Sequence, residues 1–170
     1  MRPGEHDEVL EILWSAFETD PLGHFLWPDE DERRHNYLTL LADGLSHASC
    51  VDVFDDKRGV ALWQRVERAE DNCDMWTHDR PDAIRLADLL NQAAPPAPYT
   101  YLSFLAVHPS AHGKGAGTAL LQHRLPQLSG TVALWTGSKS NVPFYEKRGF
   151  QLHAECTVDG AGAWWMVKEQ

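Results

Sequence analysis

Apolar residues recur at helical spacing through residues 7–17, where Val9, Leu10, Ile12, Leu13, Trp14, Ala16 and Phe17 make one broad face. Residues 18–28, ETDPLGHFLWP, lose that period and predict a loop. A second amphipathic pattern fills residues 29–45 and opens on four acids, Asp29, Glu30, Asp31 and Glu32, which suit the positive end of a helix. CVDVFDD (50–56) and GVALWQRVE (59–67) are apolar-rich and predict strands around a DDKRG turn. RPDAIRLADLLNQ (80–92) predicts a helix with Pro81 in its first turn, and AAPPAPY (93–99) a stiff connection that no central strand could contain. TYLSFLAV (100–107) is the most apolar strand, followed by a loop at 108–117 and a helix at 118–125 that ends near Pro126. TVALWT (131–136) is another buried strand. A short helix then starts with Asn141 as its N-cap and stops at Gly149. Strands at 150–158 and 163–169 close the chain around a DGAG turn. Helices, a strand pair, helix, strand, helix, strand, helix and hairpin predict a mixed α/β sheet, in one domain over residues 1–170.

HGKGAGTALL, residues 112–121, interrupts this pattern in an informative way. Glycine occupies alternate positions directly before a helix. Glycine loses more conformational entropy on folding than any other residue, so a cluster of it needs a reason. The first amides of a helix have no internal partner, and bare backbone lets an anion approach them along the favourable end of the dipole. A tight strand-to-helix turn without a ligand is the alternative. Two common phosphate loops fail. A Walker A loop built on Lys114 would need glycine where His108 stands, and Gly115 follows in place of a hydroxyl residue. A dinucleotide fingerprint from Gly113 would need its third glycine at Thr118, and its ribose-binding acid is missing between Gly117 and Glu146.

Composition narrows the function. Acids outnumber Lys and Arg by 25 to 15, for a formal net charge of −10, which argues against a nucleic-acid partner and for attraction of small cations. No apolar run approaches the roughly 20 residues of a membrane span, and the first ten residues lack a signal-peptide core, so a cytoplasmic protein without membrane partners is expected. Cys50, Cys73 and Cys156 are odd in number and widely spaced, which fits free thiols rather than a disulfide framework. His108 and His112 are separated by Pro109 in a loop, so no metal is expected.

LAVHPSAHGKGAGTALL resembles the acetyl-CoA motif of the Gcn5-related acetyltransferases, the GNAT superfamily. Val107-His108-Pro109 ends the strand, and His112, Gly115 and Gly117 fill the motif, with His112 where Arg or Gln is usual. NVPFYEKRGF resembles that superfamily's second signature through Asn141, Phe144, Tyr145, Glu146, Lys147, Gly149 and Phe150. VALW and ALWTGSKSNVPFYEKRGF look most like the puromycin-acetyltransferase branch. The resemblance covers most of the chain and is weakest before Val51. It implies the GNAT acyl-CoA N-acyltransferase fold: a mostly antiparallel, twisted central sheet, splayed between the strands near 101–107 and 131–136, with helices on both faces.

The resemblance also implies roles. Acetyl-CoA would be the co-substrate. Backbone groups of Leu105, Ala106 and Val107 would pair with its pantetheine arm, and His112, Gly113, Lys114, Gly115, Ala116, Gly117 and Thr118 would cradle its pyrophosphate. Asn141 would contact the carrier arm, and Tyr145 would act as general acid on the departing thiolate. A phenol of pKa near 10 holds its proton at neutral pH and can donate it. Tyr101 and Ser103 face the acceptor and, with Glu67 and His78, are candidate bases; a chain of waters is the alternative. Phe25 and Trp27 are expected to line the acceptor site, with Trp27 offering a cation–π contact. The four acids from Asp29 read either as a solvated helix start or as a rim that recruits an ammonium group. The expected activity is acetylation of a primary amine of a small molecule, an antibiotic or toxin being one version, by a monomer or homodimer. A peptide or protein acceptor, or a non-catalytic acyl-CoA-binding module, are the alternatives.

Overall fold

The computed structural model describes residues 3–54, 58–69 and 79–170. The first helix, α1 (Pro3–Phe17), buries Val9, Ile12, Leu13 and Trp14, the face given by the periodicity. The expected loop at 18–28 instead contains a short helix, α2 (Pro21–Leu26). Its start is legible in retrospect. Asp20 accepts the Gly23 amide at 3.0 Å as N-cap, and Pro21 takes the first helical position, where no amide is needed. Asp29 likewise caps α3 (Glu30–His47) by accepting the Glu32 amide at 2.9 Å.

Strands β1 (Cys50–Phe54) and β2 (Gly59–Val66) pair antiparallel, with Asp52 opposite Ala61. Residues 55–57 of the expected DDKRG turn lie outside the described residues, as do Cys73 and His78. Helix α4 (Pro81–Gln92) buries Ala83, Leu86 and Leu90. Strand β3 (Tyr99–Val107) begins one residue earlier than expected and leads through a 3₁₀ turn (Pro109–Ala111) to α5 (Ala116–Arg124). A further 3₁₀ turn, Leu125–Gln127, holds Pro126 and ends that helix. Then come β4 (Thr131–Thr136), α6 (Val142–Glu146), β5 (Gln151–Val158) and β6 (Ala161–Glu169). The last two form a hairpin through Asp159 and Gly160, whose φ values of 49° and 88° suit its two-residue turn.

The strand order is β1-β2-β3-β4-β6-β5. The β4–β6 and β5–β6 ladders are antiparallel, as is β1–β2, whereas β3 runs parallel to β4. That parallel ladder comprises Thr100 opposite Val132 and Tyr101 opposite Ala133. This is the mixed α/β sheet that the element order predicts, and its mostly antiparallel pairing is the one the resemblance implies. No described helix is long and apolar enough to cross a membrane.

The chain gathers into two compact units, Met1–Gln64 with Leu102–Leu128, and Arg65–Tyr101 with Ser129–Gln170. In the first, Phe17 of α1 meets Phe104 of β3 edge-on at 5.7 Å, and the Phe104 ring lies against Gly44 of α3. Asp52, on β1 and 8% exposed, ties down the end of α5. Its Oδ2 accepts from Arg124 Nε at 2.8 Å and from the Trp63 indole N–H at 2.9 Å, its Oδ1 accepts from Arg124 Nη2, and that same Nη2 lies 2.8 Å from Cys50 Sγ. Burial and the neighbouring Asp52 push the Cys50 thiol up, so it stays protonated. In the second unit, Trp165 is fully buried and donates its indole N–H to Leu90 O at 2.9 Å, which anchors α4 to β6.

Removing one partner of a buried ion pair strands the other, at a typical cost of about 3 kcal/mol. Arg124→Ala is therefore expected to lower the unfolding free energy by that order, read as a lower urea midpoint with an unchanged slope. Double replacement Asp52→Asn/Arg124→Ala should recover part of the loss. A single variant as stable as the wild type would show that the clamp carries no stability.

Candidate functional site

In the first unit the glycine stretch forms a tight turn in which Gly113, Lys114 and Gly115 are exposed. Gly113 and Gly115 have φ of 72° and 82°, in the left-handed region, and a Cβ built on either meets nothing within 4 Å. Gly115 is the N-cap of α5, and the first helical bond runs from the Ala119 amide to Gly115 O at 2.9 Å. The helix thus begins at Ala116, two residues before the expected start, and brings the amides of Ala116 and Gly117 into its unpaired first turn. Ala116 and Gly117 are buried, whereas Gly113, Lys114 and Gly115 are exposed and Thr118 is half-buried.

Side chains hold this turn from behind. His112 Nε2–H donates to Val107 O at 2.8 Å and so ties the loop to the last carbonyl of β3. His108 Nδ1 accepts the Ser110 amide at 3.2 Å, and Lys114 Nζ donates to Ser110 O at 2.8 Å. The polar side chains here are engaged with backbone of the loop and of the end of β3. A pyrophosphate fits such a cradle: open space over two left-handed glycines, and unpaired N–H groups at a helix start. Leu105 and Val107 are half-buried and Ala106 is fully buried. Ser103 Oγ donates to Leu62 O at 3.1 Å, which spends its proton on β2.

Phe25 is half-buried on α2. Trp27 is not a rim residue: it is 4% exposed, and its ring meets Tyr37 edge-on at 5.4 Å. It packs because α2 turns residues 21–26 inward, where the pattern alone gives a loop. Asp29, Glu30, Asp31 and Glu32 are all exposed.

In the second unit Tyr145 lies on α6 and is 8% exposed. The ending of that helix explains how it is held. The Phe150 amide reaches back to Tyr145 O at 3.2 Å and the Gly149 amide to Glu146 O at 2.9 Å, the paired bonds of a Schellman motif, with Gly149 at φ 85°. The apolar contact that accompanies the motif is Tyr145 against Phe150, ring centroids 5.8 Å apart, with Phe144 edge-on at 5.1 Å on the other side. Burial pushes the Tyr145 phenol well above its ordinary range and outweighs the nearby Arg148 charge, so the hydroxyl keeps its proton at neutral pH. No hydrogen bond to that hydroxyl forms among the described residues.

Asn141 holds the N-cap position but does not cap: its backbone is helical and no capping bond forms. Its Nδ2 donates instead to Thr136 Oγ1 at 3.1 Å, fastening the start of α6 to the end of β4. Tyr101 is buried against Trp165, ring centroids 5.8 Å apart. Burial, with added repulsion from Tyr99 and Tyr145, raises its phenol far above the usual value, while the Trp135 indole pulls the other way. A phenol so held is a poor base. Glu67 is exposed and accepts from Arg65 Nε at 2.9 Å. No group of three His, Cys, Asp or Glu suited to a metal occurs among the described residues.

Residues 71–152 match the family model for the acetyltransferase (GNAT) domain. A solved structure described as histone acetyltransferase HPA2 and related acetyltransferase, from Corynebacterium glutamicum, is 23% identical, with 99% of this chain and 93% of that one covered at a TM-score of 0.71. Arylalkylamine N-acetyltransferase 2 from Aedes aegypti is 16% identical, with coverage of 99% and 96% and a TM-score of 0.66. PaiA N-acetyltransferase from Thermoplasma acidophilum, solved in complex with coenzyme A, is 13% identical, with coverage of 100% and 96% and a TM-score of 0.61. The shared fold is that of the GNAT acetyltransferases.

Because nothing crowds a Cβ at Gly115, the cost of replacing it comes from its φ alone. Gly115→Ala should destabilise by about 1 kcal/mol and Gly115→Asn by less, since Asn tolerates the left-handed region better. Equal stability of all three proteins in denaturant melts would mean that the turn relaxes to another conformation.

Proposed function

We propose that this chain, an acyltransferase carrying a GNAT acetyltransferase domain, transfers acetyl from acetyl-CoA to a primary amine of a small molecule by direct attack in a ternary complex. The left-handed Gly113 and Gly115 and the unpaired amides of Ala116 and Gly117 at the start of α5 carry this reading most strongly, because such a cradle suits the pyrophosphate of the carrier. Acetyl-CoA supplies the acetyl group as a thioester, already activated toward nitrogen. The amides of Gly113, Gly115, Ala116, Gly117 and Thr118 bind the pyrophosphate, with His112 and Lys114 shaping the turn. Backbone groups of Leu105, Ala106 and Val107 hold the pantetheine arm as an added strand, and Asn141 contacts it.

The acceptor nitrogen attacks as the neutral amine. A C–N bond forms to the acetyl carbon, the C–S bond breaks, and the sulfur leaves with the electron pair. Tyr145 donates its hydroxyl proton to that sulfur, and the proton shed by nitrogen passes to solvent, from which the Tyr145 phenolate is reprotonated. Burial keeps Tyr145 protonated at neutral pH, so the proton it donates is in place, and also makes the phenol a weaker acid than a free one. Tyr101 and Ser103 shape the acceptor side; neither is placed to take a proton, the one by burial and the other by its bond to Leu62 O. An antibiotic or toxin acceptor has only the puromycin-enzyme likeness of VALW and ALWTGSKSNVPFYEKRGF behind it.

Two variants test the assignments separately. Gly115→Val places a branched side chain where the pyrophosphate should lie, and calorimetry should show CoA affinity reduced at least tenfold, about 1.4 kcal/mol. A folded variant with normal CoA affinity would remove the loop from the site. Tyr145→Phe deletes one oxygen and keeps the ring packing. Its single-turnover rate should fall by about 10²–10⁴-fold with little change in acetyl-CoA affinity. Single turnover is the right measurement because slow product release can mask a change in chemistry. A wild-type rate would return Tyr145 to a packing role.

A further inference from the structure

Strand β5 ends the sheet on one side, with β6 on its inner edge and no described strand on its outer edge. It is 8 residues long and lies within the second unit. An edge of that length displays a row of backbone N–H and C=O groups that another strand can pair with. Natural edges are guarded by Lys, Pro, bulges or short length. Of these guards β5 has only a bulge, at His153; its sequence, QLHAECTV, holds no Lys, Arg or Pro.

The hairpin turn decides which backbone groups point outward. Val158 opposite Ala161 closes the two-residue turn as a hydrogen-bonded pair. Inward bonding therefore falls on Val158, Cys156 and Ala154, and outward bonding on Thr157 and Glu155. Beyond Ala154 the ladder slips. Ala154 lies opposite Trp165 and Leu152 opposite Met166, so His153 has no partner on β6.

The side chains divide too. Cys156 faces α4, with its thiol donating to Leu89 O at 3.5 Å. Glu155 and Thr157 point the other way and are exposed. Leu152 shares their face, because its partner Met166 stands two places along β6 from Trp164, the partner of Glu155. At 48% it is the most exposed large apolar side chain among the described residues. His153 and Glu155 are both exposed, and neither side chain has a hydrogen-bond or ion-pair partner among the described residues.

Two identical strands paired antiparallel about a two-fold axis set residue i against j and j against i. Centred on Ala154, the pairing sets His153 of each copy opposite Glu155 of the other, once on either side of the axis. The adjacent registers, centred on His153 or on Glu155, face two imidazoles or two carboxylates instead. Complementary cross-strand pairs stabilise a ladder and like charges destabilise it, so this edge is complementary to itself in one register and not in its neighbours.

We propose that two copies of this chain join edge to edge through β5, antiparallel about Ala154, so that their sheets become one continuous sheet. His153 of each copy bonds Glu155 of the other, and Leu152 lies beside the seam. This assembly makes no use of the carrier loop or of Tyr145 and stands apart from the acetyltransferase reading.

Light scattering after size exclusion, run from about 1 to 200 µM, should show a concentration-dependent dimer, since so short a contact lies at the small end of stable interfaces. His153→Glu sets carboxylate against carboxylate on both sides of the axis and should raise the dimer Kd at least about tenfold. Adding Glu155→Lys to that variant restores an opposite-charge pair and should bring the Kd back to within about threefold of the wild type. Both positions are exposed, so circular dichroism should show every variant folded. Ala154→Cys places a thiol opposite itself in a non-hydrogen-bonded pair, within disulfide reach, and should cross-link two chains on mild oxidation where the wild type does not. A wild type that stays monomeric over the whole range overturns the proposal. So does a dimer that ignores His153→Glu and is not cross-linked through Ala154→Cys, because that dimer uses another surface.

Discussion

A helix cannot satisfy the amides of its own first turn, and in this chain that constraint is turned outward at Gly115. The left-handed φ of 82° lets the chain enter α5 with no side chain over the turn. His112, His108 and Lys114 then hold the loop from its other side by bonding backbone oxygens and amides. At the far end of the same helix, Arg124 is locked to Asp52 on β1. A helix held at one end and bare at the other presents fixed dipoles that need no rearrangement when an anion arrives, which is the condition for electrostatic binding to be strong.

In the second unit the Tyr145 phenol is both protonated and fixed in position. Burial alone achieves the first. The second follows from the way α6 ends, since the Schellman bonds at Gly149 and Phe150 bring the Phe150 ring against Tyr145. Asn141 contributes at the other end of α6 by bonding Thr136 rather than by capping. A five-residue helix has little intrinsic stability, so these end contacts, not propensity, define where the hydroxyl points.

Much of this was legible in the sequence because it depends on local chemistry. Gly149 as a helix stop and the order of the strands follow from backbone rules and appear where those rules put them. What the sequence hid depends on partners far along the chain. Asp52 and Arg124 are 72 positions apart, and nothing in either neighbourhood marks the pair. Trp27 looked like a displayed ring because residues 18–28 read as a loop, although Asp20-Pro21 is itself a helix-start signal; six helical residues are too few for periodicity to show. Burial is a tertiary property that composition does not carry, and it separates the exposed acids from Asp29 onward from the packed ring of Trp27.

Amine-dependent thiol release tests the central claim most directly. The protein is mixed with acetyl-CoA alone and with phenethylamine or spermidine added, while free thiol is followed with a colorimetric reagent and the amine is weighed by mass spectrometry. Acetyl transfer predicts that one thiol appears for each acetylated amine and that little appears without amine. Thiol release at the same rate with and without amine, or bound carrier with no acetylated product from any amine in the panel, would contradict the account.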